Sequence, residues 1–157
     1  ESLKWNAKDT SKASFQHKYY RSYDALLNYH SYVITFAHTH VLPGNHVFLF
    51  TNSNSLTHFT NNGDINSDTF LFRGDYVMPE ILPKYTLHVF ASITLADNKK
   101  QTHKGTEETY SPGFSIQKKV TENIAAKAAY SYTKKKSLDR SAEYSKHVSG
   151  FEVSYKF

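Results

Sequence analysis

Apolar and polar residues alternate along this chain with a period of two, and that alternation recurs in segment after segment. In residues 147–157 the odd positions include Phe151, Val153, Tyr155 and Phe157, while the even ones are Val148, Gly150, Glu152, Ser154 and Lys156. Residues 123–133 set Ile124, Ala126, Ala128, Tyr130 and Tyr132 against Ala125, Lys127, Ala129, Ser131 and Thr133. Residues 110–118, 84–96 and 70–78 follow the same rule, the last opposing Phe70, Phe72, Tyr76 and Met78 to Leu71, Arg73, Asp75 and Val77. Residues 31–42, 46–59 and 12–21 complete a set of eight predicted strands. In the first two of these, both faces carry apolar residues, so periodicity alone does not say which face is the apolar one. No segment of useful length repeats apolar residues at helical spacing.

The connections sharpen the prediction. Tight turns at Pro43-Gly44-Asn45, around residues 79–83 and at residues 120–122 alternate with longer polar stretches at residues 58–67, 97–108 and 134–146. Short and long connections in strict alternation are expected of a transmembrane β-barrel of the bacterial type, with short periplasmic turns and longer extracellular loops. A soluble β-barrel or sandwich would show the same periodicity. What favours the membrane form is the aromatic richness of the apolar faces and the charges, Arg73, Asp75, Lys127, Glu152 and Lys156, on the opposite faces.

Composition agrees. The 157 residues make one domain, with 12 Tyr and 11 Phe yet a low mean hydropathy. A barrel in lipid reconciles the two, because only the outward half of each strand is apolar. No apolar run approaches the length of a transmembrane helix. The absence of cysteine excludes a disulfide scaffold and a cysteine-based metal site. The net charge of +5 comes from scattered basic residues without a nucleic-acid motif, so no nucleic-acid partner is expected.

The closing strand, Phe151-x-Val153-x-Tyr155-x-Phe157, resembles that of bacterial outer-membrane β-barrels, which end in alternating apolar residues and a C-terminal Phe. The resemblance is to the class, small eight-stranded type, and to no individual family; it covers residues 12–157. It implies an all-β, antiparallel up-and-down transmembrane barrel in the bacterial outer membrane, a monomer in contact with lipid and lipopolysaccharide. It also implies that Phe151, Val153, Tyr155 and Phe157 are read by the barrel-assembly machinery. Residues 1–11 are an N-terminal extension or an extra strand, since Leu3, Trp5 and Ala7 alternate in phase with Ala13 and Phe15. An extra strand would give nine, as in the C-terminal part of a larger exporter barrel.

Candidate chemistry is modest. Eight strands leave an interior just wide enough for side chains. Arg73, Asp75, Lys127, Glu152 and Lys156 are therefore expected to form a lumenal charge network or, alternatively, to line a narrow pore. His147-x-Ser149 resembles the His-x-Ser pair of lipid A deacylases. Gly150 follows it, however, and the only nearby acid, Glu152, points to the other face, so no catalytic residue is assigned. His38 and His40 share a face, but no acidic or thiol ligand stands near them in sequence, so neither a metal nor another cofactor is expected. Lys99, Lys100, Lys134, Lys135 and Lys136 fall in the predicted outer loops, where they would meet lipopolysaccharide phosphates. The expected role is that of a non-enzymatic barrel acting structurally or through its loops.

Overall fold

The computed structural model describes residues 2–4, 7–24, 27–60, 66–98, 105–137 and 140–156, with residue 98 described by its backbone alone. Nine strands form one antiparallel sheet in chain order: β1 Ser2–Lys4, β2 Asp9–Tyr20, β3 Tyr29–Val41, β4 Val47–Phe59, β5 Ser67–Leu82, β6 Tyr85–Asn98, β7 Gly105–Lys119, β8 Ile124–Lys136 and β9 Tyr144–Tyr155. Every strand pairs with its sequence neighbour. There is no α-helix among the described residues; the 3₁₀ turns include Pro43–Asn45 and Arg140–Ala142.

All eight strands read from the alternation are present, and the extra one, β1, pairs with β2 through Ser2↔Lys12, Leu3↔Ser11 and Lys4↔Thr10. Nine strands therefore replace the expected eight. Among the described residues the sheet is open: β1 pairs only with β2, and β9 only with β8. The strands also run further than the alternation suggested, because polar residues at a strand end still complete backbone ladders. Lys134, Lys135 and Lys136 belong to the end of β8, not to a loop. Lys156 lies one residue past β9, where its N–H donates to the Asn123 carbonyl at 2.9 Å, so it is not inside a strand. Phe157, Lys99 and Lys100 lie outside the described residues.

The turns explain themselves locally. Gly44 takes φ +75° between Pro43 and Asn45, a conformation glycine adopts without steric cost. Pro83 and Lys84 join β5 to β6, with Lys84 at φ +70°, after a bulge between Pro79 and Leu82. Pro112, without an N–H to give, sits where the β7–β8 ladder is interrupted between Tyr110↔Lys134 and Gly113↔Ser131.

Register settles what periodicity left open in β3 and β4. Phe48↔Tyr76 and Asn52↔Phe72 carry the apolar face of β5 onto the even-numbered residues of β4, and Phe36↔Asn52 and Ile34↔Asn54 carry it on to β3. Tyr32, Ile34 and Phe36 are on the apolar face; Val33, Thr35 and Ala37 are on the other.

Burial then inverts the usual order of a soluble protein. Along β3 to β8, outside the bulge near Leu82, the exposed large apolar side chains all lie on that one face, among them Ile34, Phe70, Phe72, Val89, Ile93, Phe114 and Ile116. No hydrophobic side chain is buried among the described residues; of the buried polar ones, Asp75 and Ser115 are on the polar face, while Ser11 is on the other, covered between Leu3 and His38. On the polar face the cause is curvature. A sheet coiled toward its polar side gives this result, since inner side chains converge and shield one another while outer ones splay. The accessible surface, 11077 Å², exceeds the ~8,000 Å² of a compact globule of this mass. The excess comes from the uncovered apolar face and from β2 and β9, which are exposed on both faces.

Candidate functional site

The densest side-chain chemistry lies on the polar face of β5 and β6. The alternation turns Arg73 and Asp75 to the same side of β5, and the guanidinium reaches its neighbour: Arg73 Nε donates to Asp75 Oδ2 at 2.8 Å and Nη2 to Oδ1 at 2.7 Å. His88 on β6 stands 2.8 Å from the same Oδ1 through Nε2. The Arg73 guanidinium also lies 4.8 Å from the centroid of the Phe90 ring, and Phe90 faces Asp75 directly across the ladder. Only 7% of the Asp75 side chain is exposed. A carboxylate so enclosed is stable because both oxygens are filled by charge-assisted hydrogen bonds. With them filled, Asp75 has little capacity left to act as a base or nucleophile; the cluster is a clasp between two strands.

Further pairs stitch the same face. Thr35 Oγ1 and Ser53 Oγ lie 3.1 Å apart across β3–β4, and Ser111 Oγ and Thr133 Oγ1 lie 3.1 Å apart across β7–β8. Lys135 Nζ meets Glu107 Oε1 at 2.9 Å. Lys127 and Glu152 are direct cross-strand partners in β8–β9. Among the described residues, every buried side-chain nitrogen or oxygen has a hydrogen-bond partner.

Of the five charges singled out in the sequence, the fold brings Arg73 and Asp75 into one bidentate pair and sets Lys127 opposite Glu152 in a second location. Lys156 joins neither. Sequence reasoning missed His88 and Phe90. Alternation does place both on the polar face of β6, but only the β5–β6 register brings them to Asp75.

A second cluster was also hidden. On the apolar-face side of β2 and β3, Ser11 Oγ lies 2.9 Å from His38 Nδ1, and Asp9 Oδ1 lies 2.5 Å from His40 Nδ1 and 3.6 Å from His38 Nε2. Asp9 is distant from both histidines in sequence, and the pairings Asp9↔His40 and Ser11↔His38 bring it there. No three His, Cys, Asp or Glu side chains among the described residues are arranged to hold a metal ion. His147, the histidine of the His-x-Ser pair, contacts the Tyr130 hydroxyl through Nδ1 at 2.7 Å, and the residue opposite Ser149 is Tyr130.

The apolar face is indented over β5, β6 and β7. Gly74, Ala91 and Pro112 stand opposite one another across β5, β6 and β7. This row of small residues forms the floor of an open trough of about 750 Å³, walled by Tyr76, Val89, Phe114 and Tyr130.

Comparison of the chain with protein-family models, with curated proteins and with solved structures finds no match in any of the three.

Proposed function

We propose that this chain is the wall of a bacterial outer-membrane β-barrel, apolar face to lipid and polar face to the lumen, with a structural or loop-mediated role and no catalysis. The observation that carries this reading is the inverted burial: large apolar side chains exposed on one face, polar ones shielded on the other. Water would penalise that arrangement heavily, and a bilayer rewards it.

The apolar band has the right extent. On β6 it comprises Tyr85, Leu87, Val89, Ala91, Ile93 and Leu95 and ends at Asp97; this run is ~33 Å along the strand and ~25 Å along the normal at the usual barrel tilt. Asp68, Glu108 and Lys134 bound the neighbouring strands on the same side. Lys134 and Lys136 then stand at the outer edge of the band, where lipopolysaccharide phosphates would meet them. The trough over Gly74, Ala91 and Pro112 suits an acyl chain. Insertion by the barrel-assembly machinery through Phe151, Val153, Tyr155 and Phe157 belongs to the same proposal.

Because the chain has no cysteine, single cysteines can test the two faces. Phe72→Cys and Ile93→Cys, each labelled with a polarity-sensitive fluorophore in liposomes, should be quenched by lipid-borne quenchers. Ser92→Cys and Thr94→Cys should not. Equal quenching at all four positions would overturn the reading.

A second reading, one wall of a larger exporter or pore barrel, draws on the open sheet and on β1. An antiparallel meander closes with every pair antiparallel only at an even strand count, and β1 occupies Thr10–Lys12 of the β2 edge.

A further inference from the structure

The connections at the short-turn end enclose a polar pocket of about 500 Å³. The turn Pro43–Asn45 supplies one wall, the β5–β6 turn another, and the end of β7 the third. Register puts Thr86 and Lys119 on the polar face, so the pocket sits at the turn-side end of that face.

Its walls gather the unusual backbone of the chain. Among the described residues four have positive φ: Gly44 at +75°, Asn45 at +59°, Glu80 at +57° and Lys84 at +70°. All four line this pocket. Glycine and asparagine take the left-handed region readily, but Glu80 and Lys84 do so against the crowding of their own Cβ. The bulge also releases Glu80 from strand alternation, since Pro79 pairs with Thr86 and Leu82 with Tyr85 while Glu80 has no cross-strand partner. Backbone held in this way is concentrated in proteins where a ligand is clamped.

The charges that line the pocket do not satisfy one another. The Lys119 N–H donates to the Lys84 carbonyl at 2.9 Å, one step beyond the Tyr85↔Lys118 pair, so two lysines stand opposite each other across the ladder. Like charges so placed repel. Glu80 lines the same pocket, yet among the described residues no ion pair or hydrogen bond joins its side chain to either lysine. The neighbouring groups are committed elsewhere. Lys118 lies on the other face with its ammonium 5.1 Å from the centroid of the Tyr85 ring, and His46 Nδ1 is 2.8 Å from the Tyr76 hydroxyl. Two ammonium groups and one carboxylate are thus left facing one space, unpaired.

We propose that this pocket binds a short peptide as a zwitterion, its C-terminal carboxylate between Lys84 and Lys119 and its N-terminal ammonium at Glu80. A carboxylate offers one oxygen to each lysine and relieves their repulsion, and the Thr86 hydroxyl in the same wall can donate to it as well. Glu80 disfavours a guest that is purely anionic and favours one that brings its own cation. The volume is larger than a single amino acid fills, which selects a peptide. The site is built from turns and needs no particular solvent over the apolar face, so it goes beyond the membrane reading and does not depend on it.

Titration calorimetry of the full chain in detergent micelles at low ionic strength tests the site with three probes: trialanine, its C-terminal amide and its N-acetyl form. Trialanine should bind saturably, and each blocked form about tenfold more weakly, the loss of one charge-assisted contact. Lys84→Gln and Lys119→Gln should each weaken trialanine by a similar factor. Glu80→Gln should weaken trialanine and leave the N-acetyl form unchanged, a selectivity that a role in the turn alone would not produce. Lys118→Gln, on the opposite face, should bind as the unaltered chain does. Lys119 stands in regular strand backbone, so its variant carries the test if a turn variant fails to fold. No saturable heat with any probe, equal affinity for all three, or full affinity in Lys119→Gln would each overturn the site. N-acetyl-trialanine bound as tightly as trialanine would leave a simple anion site and overturn the zwitterion.

Discussion

Phe90 occupies the space that a side chain on Gly113, its direct cross-strand partner, would need. A Cβ on Gly113 would overlap the ring and come within 2.8 Å of the Tyr130 carbonyl oxygen. The ring can swing away, but the backbone of β8 cannot without breaking the Gly113↔Ser131 pairing. Phe90 in turn carries the Arg73 guanidinium, so a glycine on β7 permits a stack on β6 that supports an ion pair on β5.

Gly113→Ala is accordingly expected to destabilise the folded sheet by about 1–3 kcal/mol, the usual cost of overpacking. Gly150→Ala, with open space around it, should be close to neutral. Urea unfolding of both variants in the same lipid checks this, and equal midpoints would refute it. Adding Phe90→Ala to Gly113→Ala should recover only part of the loss, because the clash with the Tyr130 carbonyl remains.

Removing the carboxylate that Arg73 and His88 share has a comparable consequence. Asp75→Ala leaves the guanidinium without its bidentate partner and should cost about 1–3 kcal/mol. The loss stays below that of a fully buried pair because Arg73 is more than a third exposed. In a double-mutant cycle, Arg73→Ala in the Asp75→Ala background should cost less than Arg73→Ala alone. Strict additivity would mean that the clasp contributes no coupling.

The two faces should differ sharply in their tolerance of charge. Ala91→Lys, in the middle of the apolar band, is expected to lower stability in a bilayer by about 2–4 kcal/mol. Ser92→Lys, one residue away on the shielded face, should cost much less. Folding yields into liposomes, read by circular dichroism and protease protection, give the comparison. A larger defect for Ser92→Lys would reverse the assignment of the faces.

An eight-stranded closure also predicts an electrical result. Its interior is just wide enough for side chains, and here Arg73, Asp75, His88, Phe90 and the cross-strand hydroxyl pairs project from the inner wall. Planar bilayers containing the protein should show no steady unitary conductance. Stable channels would instead support the wall of a wider barrel.

Much of this was legible in the chain, for a physical reason. Side chains on a strand alternate whatever the strand pairs with, so the positions of β2 to β9, their two faces in β5 to β9 and the alternation of short and long connections follow from local pattern. Leu3, in phase with Ala13 and Phe15, even hinted at β1. Local pattern fails at the ends and in β3 and β4. Lys134, Lys135 and Lys136 look like loop residues because they are charged, yet their backbone completes the β7–β8 ladder. Ile34 and Val33 are equally apolar, so nothing within β3 ranks its two faces.

The sequence by itself thus determined the strands and an Arg73–Asp75 pair on one side of β5, because both depend on residues near one another in the chain. Only the tertiary structure decided which face of β3 and β4 is apolar, that His88 and Phe90 join Arg73 and Asp75, and that Asp9 and Ser11 meet His40 and His38. Each of these depends on register, a relation between strands that no strand's own sequence contains, and a one-residue slip in any ladder would undo them.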